Sequence, residues 1–326
     1  MGTISILIFA VFLAVFLGVV TYDLYKSKKN GTNFRIKNCV VGFLMVAPAV
    51  LLTFLFILLP MLFSLGYAFT DFNQMRPDEV NFVGFNNFKE IFREIGAGGD
   101  MLSALKNTAI FVVGVVPLQI LLALGLALFC NRKVRGVAIF KVCFFAPVVI
   151  SLTVTSYLWV TILSPEADGL LNSFLALFGI PEQDFLSNPD TAMLWIVIIS
   201  AWQGCGYQML IFLSGLTNIR SDLYEAARLD GANAWYRFIH ITVPGLKSSV
   251  LYITITVFIG ACRIMVQPML MIGPYPEGWT LSYYMYMQGT EYSLVGKSSA
   301  IALLMTIFIG LVTFIQKKVL GEKKSG

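Results

Sequence analysis

Glu225, Ala226 and Ala227 are followed by Gly231, Ile241 and Pro244 in the pattern E-A-A-x3-G-x9-I-x-V-P, within the segment SDLYEAARLDGANAWYRFIHITVPG. The chemistry open to these residues is recognition, not bond-making. Glu225 offers a carboxylate to a guanidinium of another chain, and the two alanines leave room for a close approach. An isolated triplet could equally complete a capping box with Asp222. The longer spacing, carried on through Gly231 to Pro244, favours a docking surface that also includes Asp230.

Other reactive residue types point to no enzyme. The single histidine, His240, lies in the same segment and reads as a polar helix residue. No Cys/His/carboxylate cluster suggests a metal or a nucleophile, so no cofactor is expected. Gly296, Lys297 and Ser298 look like the end of a phosphate loop, but such a loop needs a glycine where Glu291 stands. Five cysteines, Cys39, Cys130, Cys143, Cys205 and Cys262, fall in or at the ends of apolar runs and read as small buried residues.

The elements that must carry these residues follow from composition. The chain has 326 residues, of which 57% are hydrophobic and 13% charged, with a mean hydropathy of +0.78. Those values describe an all-α integral membrane protein. A helix needs about 20 apolar residues to cross the hydrocarbon. Seven stretches qualify: Thr3–Tyr22, Val40–Phe63, Asn107–Cys130, Ile139–Leu163, Ala192–Leu216, Ser248–Ile272 and Ser298–Leu320. Pro48, Pro60, Pro117, Pro147 and Pro268 fall inside them and can kink them.

With the amino terminus outside, the cytoplasmic loops hold 17 of the 23 Lys and Arg and 5 of the 18 acids. Basic residues are retained on the cytoplasmic side, so the segment 217–247 is expected in the cytoplasm, with the carboxyl terminus. Met1–Ser5 carries no positive charge whereas Lys26, Lys28 and Lys29 follow the first apolar run, the reverse of a secretory signal. That run is expected to be a retained helix.

Three further regions carry expectations. Arg263 is the one charge deep in an apolar segment, where a charge is costly and faces a cavity or a partner. It is a candidate for the translocation path, with a purely structural role as the alternative. Trp279, Tyr283, Tyr284, Tyr286 and Tyr292 read mostly as residues of the membrane interface. The loop Thr70–Lys106 is expected to hold a short helix around Asn86–Ile95, and Ser164–Thr191 to be irregular. Within the docking segment, Ser221 or Asp222 is expected to cap one helix, Gly231 to end it and Asn233 to cap a second.

The motif resembles the signature loop of permease subunits of binding-protein-dependent bacterial ABC importers, with Val243 where leucine is usual. Further segments are similar to the carbohydrate-uptake branch: FVGFNNFKEIF (Phe82–Phe92), LKNTAIFVVGVVPLQILLALGLAL (Leu105–Leu128), FFAPVVIS (Phe144–Ser151) and GLLNSFLALFGI (Gly169–Ile180). The resemblance covers roughly Val40 to the carboxyl end. It implies a six-helix permease core in residues 40–326, preceded in 1–39 by an extra helix and a basic linker. It also implies a second homologous permease subunit, two cytoplasmic ABC ATPase subunits that hydrolyse the ATP, an extracytoplasmic sugar-binding protein and a carbohydrate substrate. Glu225, Ala226, Ala227, Asp230, Gly231 and Pro244 would then form the ATPase-coupling loop of a bacterial inner-membrane protein. Alternatives are an ABC permease for a sugar phosphate, amino acid or peptide, and an ion-coupled secondary transporter. The latter would place carboxylates inside its helices, and none is found there.

Overall fold

The computed structural model describes residues 18, 20–22, 24–29, 36–132, 135–166, 169–187 and 189–320. The expected helix Thr3–Tyr22 lies almost wholly outside these residues. The chain divides into two compact units, Met1–Tyr67 and Ala68–Gly326. In the first, the helix Ile36–Thr53 runs through a π turn, Phe54–Leu58, into Leu59–Tyr67, together α1. Phe54 is its one buried side chain among those described.

The second unit is helical, and among the described residues its only β feature is an isolated bridge between Thr70 and Phe82. Its helices are α2 (Asn86–Gly96), α3 (Asp100–Cys130), α4 (Val137–Val149), α5 (Leu152–Ile162), α6 (Leu170–Ala176) and α7 (Pro189–Thr217). There follow α8 (Ser221–Leu229), α9 (Ala234–Arg237), α10 (Lys247–Cys262), α11 (Val266–Met271), α12 (Leu281–Tyr286) and α13 (Val295–Leu320). α1, α3, α7 and α13 are each long and apolar enough to cross a membrane.

α3 shows how an apolar helix acquires an inside. Its buried positions are Met101, Ala104, Thr108, Phe111, Val115, Gln119, Ala123, Ala127 and Cys130, three or four residues apart and so on one face. Val113 and Leu121 on other faces are exposed, as lipid-facing residues can be. The buried face packs along α7, the most extensive helix pair in the unit. Small residues let these backbones approach. A Cβ on Gly204 would lie 2.1 Å from Gln119 Nε2, and one on Gly206 would lie 2.2 Å from the Phe144 carbonyl oxygen of α4.

Two expected spans are not continuous helices. Ile139–Leu163 breaks into α4 and α5, which meet at 98°, and Ser248–Ile272 ends as a regular helix at Cys262. The prolines are not the break points. α3 continues as helix through Pro117, and α4 continues past Pro147 to Val149. Long-range hydrogen bonds hold the breaks instead, because backbone groups freed in an apolar interior must find partners. At the first break Gln203 Nε2 donates to the Ile150 carbonyl (3.1 Å) and to Thr155 Oγ1 (3.0 Å). Ser151 caps α5 through Val154 N–H. At the second, Thr280 Oγ1 donates to the Ile264 carbonyl (2.6 Å) and Ser282 Oγ to that of Cys262 (3.3 Å).

Four further expectations meet the structure. The helix expected around Asn86–Ile95 is α2. The loop 164–191, expected to be irregular, contains α6. Trp279, Tyr283 and Tyr284 are not interface residues: they are 1–2% exposed in an apolar core with Ile91, Met101 and Ile301. Tyr292 is exposed and Tyr286 half-buried. Cys130, Cys205 and Cys262 are buried, whereas Cys143 is exposed.

Candidate coupling loop and solute cavity

The segment between α7 and α10 folds as two short helices. α8 begins at Ser221, with Arg220 in the cap position, so neither Ser221 nor Asp222 caps it. Asp222 instead pairs with the Arg220 guanidinium (2.5 Å) and accepts from Leu223 N–H. Gly231 turns the chain with φ of +77°, a left-handed conformation that favours glycine. Asn233 Oδ1 then accepts the Tyr236 N–H at 2.8 Å and caps α9, as expected. α9 continues through a π turn, Phe238–Thr242, and the short turn Val243–Gly245, which contains Pro244.

The two arms are tied together. Tyr224 OH and Thr242 Oγ1 lie 2.9 Å apart, and Thr242 is buried. At the stem a Cβ on Gly245 would come within 2.7 Å of Ile219, and one on Gly215 within 2.5 Å of Ser249 Oγ. The loop is thus packed onto the ends of the helices it joins. Its other surface is open: Leu229 is 89% exposed, Trp235 68% and Leu223 49%. Glu225, Ala226 and Asp230 are exposed and Ala227 is half-buried. Glu225 has no side-chain hydrogen bond or ion pair among the described residues. Ala227, Asp230 and Gly231 line a shallow depression with Asn233 and Tyr236. The structure therefore brings the Glu225–Gly231 residues to one exposed turn, with Pro244 on the return arm. His240 stacks on Tyr236 and reaches the Tyr236 carbonyl through Nδ1.

Arg263 lies elsewhere, at the end of α10 where the helix stops. With residues of α3, α5, α7 and α11 it lines a cavity of about 320 Å³. Five of the other lining residues are polar: Gln119, Ser200, Gln208, Thr256 and Gln267. Among the described residues that line it none is acidic. Ser200 Oγ donates to Gln267 Oε1 at 2.6 Å. Gln208 Oε1 and Gln267 Nε2, one an acceptor and one a donor, are buried without a partner among the described residues. Such orphaned amides are costly in an apolar interior. Sequence reasoning passed over Gln119, Gln203, Gln208 and Gln267. The available signal was an uncharged amide recurring inside apolar runs.

Lys297 of the phosphate-loop-like tripeptide makes structural contacts. Its ammonium sits 3.0 Å from Glu94 Oε2 and 3.4 Å from Glu90 Oε1. Among the described residues no cluster of three or more His, Cys, Asp or Glu could hold a metal ion.

Comparison with known proteins bears on this geometry. Residues 119–325 match the family described as binding-protein-dependent transport system inner membrane component. The arabinooligosaccharides transport system permease protein AraP of Bacillus subtilis (strain 168) is 32% identical, over 93% of this chain and 92% of that protein. The lactose transport system permease protein LacF of Rhizobium radiobacter is also 32% identical, over 87% and 95%. In fold, the chain is similar to a crystal structure of a bacterial ABC transporter involved in the import of the acidic polysaccharide alginate. The TM-score is 0.74 at 22% identity, over 87% of this chain and 96% of that one.

Proposed function

We propose that this chain, which belongs to the family of inner membrane components of binding-protein-dependent transport systems, forms half of the pore of an ATP-driven importer for a sugar or oligosaccharide. The chain is a multi-pass membrane permease subunit. Its solute class follows from relatives named for arabinooligosaccharides and lactose that align along most of the chain. The observation that carries the coupling role is the exposed loop 217–247. It is packed firmly at its stem, yet it leaves Glu225 exposed and without a partner among the described residues.

In this reading two cytoplasmic ABC ATPase subunits engage Glu225, Ala226, Ala227, Asp230, Gly231 and the Pro244 return arm. The sugar arrives from an extracytoplasmic binding protein, and a second homologous permease completes the pore. The basic loops face the cytoplasm, the amino terminus lies outside, and residues 1–39 add a helix and linker to a permease domain in 40–326. The Tyr224–Thr242 bond makes the loop a lever: a displacement of the turn is passed to the ends of α7 and α10, and both helices line the solute cavity. Arg263 and the amides of Gln119, Gln208 and Gln267 then hydrogen-bond the solute there, where the helix breaks allow the cavity to exist.

Uptake of labelled arabino-oligosaccharides and lactose into vesicles holding the assembled complex tests this reading. ATP- and receptor-dependent uptake is expected. An Arg263→Ala chain should assemble normally and take up sugar more slowly. Uptake that ignores ATP and follows an ion gradient would overturn the proposal.

A further inference from the structure

A second polar network lies away from both the loop and the solute cavity, in the region of α2, α12 and the start of α13. Lys297 is 11% exposed, and its ammonium bridges Glu94 and Glu90. It also sits 5.9 Å from the centre of the Tyr284 ring. Tyr284 is 1% exposed and donates its hydroxyl to Glu94 Oε1 at 2.6 Å. Burial pushes the Glu94 carboxyl up, but the Tyr284 hydroxyl and the Lys297 ammonium outweigh it and hold it below the ordinary 4.5. The carboxylate is therefore ionised throughout the neutral range.

The network continues inward. Tyr284 N–H donates to the Thr280 carbonyl at 2.7 Å, and Thr280 Oγ1 donates to the Ile264 carbonyl. Ile264 and its neighbour Arg263 line the solute cavity. Asn107 Nδ2 clamps the same segment through the carbonyls of Glu277 (2.7 Å) and Trp279 (2.9 Å). On the other side the loop before α2 is stitched to the start of α13. Gly296 N–H donates to the Phe72 carbonyl, and Gln74 N–H to that of Ser293. Hydrogen bonds made by Tyr284 and Thr280, part-buried at Glu94 and buried at Ile264, thus link α2 to the backbone beside Arg263. Apolar residues would hold these helices together as well. What a satisfied polar network adds is a single geometry.

We propose that Glu94, Lys297 and Tyr284 are positioning residues that lock α2, which lies in the loop Thr70–Lys106 placed outside by the charge bias, to the segment bearing Arg263, so that engagement of the extracytoplasmic binding protein on that side resets the solute cavity. The inference rests on the importer reading above. It assigns a route by which a loaded receptor promotes turnover, with α2 and the Thr280–Ile264 bond as its two ends.

The test uses the full complex in nanodiscs, with the receptor loaded with whichever saccharide drives uptake. Tyr284→Phe removes one hydroxyl and keeps the ring. It should leave assembly, thermal melting and basal ATP hydrolysis as in the native complex, while receptor-stimulated hydrolysis falls by about fivefold or more, the usual scale of coupling between sites. Lys297→Arg, which can still bridge Glu94 and Glu90, should retain stimulation, whereas Lys297→Met should lose it. Undiminished stimulation in Tyr284→Phe would overturn the proposal. So would a proportional loss of assembly, basal and stimulated activity, which marks a merely structural contact. A native complex that the receptor fails to stimulate would instead sink the importer reading itself.

Discussion

Replacing Glu225 by alanine separates a docking residue from a folding residue. The carboxylate is exposed and has no polar partner among the described residues, and exposed substitutions of that kind shift stability by no more than about 0.5 kcal/mol. Thermal melting of the purified chain should therefore be unchanged. At an interface the sum is different. Truncating one member of a hydrogen-bonded charge pair costs about 2–5 kcal/mol. The shallow, open turn around Ala227 and Gly231 argues for the lower end. About 2 kcal/mol corresponds to roughly 30-fold weaker binding. The assay is a titration of the solubilised permease pair with fluorescent ATPase subunit, beside melting of the permease alone. Tyr224→Phe is the control. It removes the bond to buried Thr242, costs about 1 kcal/mol, and should soften the loop while leaving the Glu225 carboxylate in place. A Glu225→Ala chain that melts early yet binds the ATPase with native affinity would refute the reasoning.

Two glycines give further expectations of opposite kind. Nothing lies within 4 Å of a Cβ built on Gly231, so Gly231→Ala meets no clash and pays only for its left-handed backbone. That cost is about 1 kcal/mol, and weaker ATPase coupling with normal membrane insertion is the expected result in ATP-driven uptake. Gly206→Ala drives a methyl into the Phe144 carbonyl, 2.2 Å away. The α4–α7 contact must open, at about 3 kcal/mol or more, and assembled complex recovered from membranes should fall sharply. Gly125→Ala, on the same helix as Gln119 but in open space, should be recovered normally.

Much of this protein is local in origin, and for that reason its sequence determined it. Apolar runs long enough to cross a bilayer have few options but helix, since every backbone group must be paired within the segment. Gly231 and Asn233 end one short helix and start the next because each acts on its own turn. The match of residues 119–325 to the family follows the same linear order. What sequence could not decide was everything that depends on a distant partner. The breaks inside Ile139–Leu163 and Ser248–Ile272 rest on Gln203 reaching Ile150 and Thr280 reaching Ile264, and no proline marks either one. α3 is apolar all round, so only its packing on α7 reveals that Gln119 and Phe111 face inward and Val113 outward. For the same reason Trp279 and Tyr284 resembled an interface belt and proved to be core. The amides that converge with Arg263 come from three helices, and only the tertiary structure could bring them to one cavity.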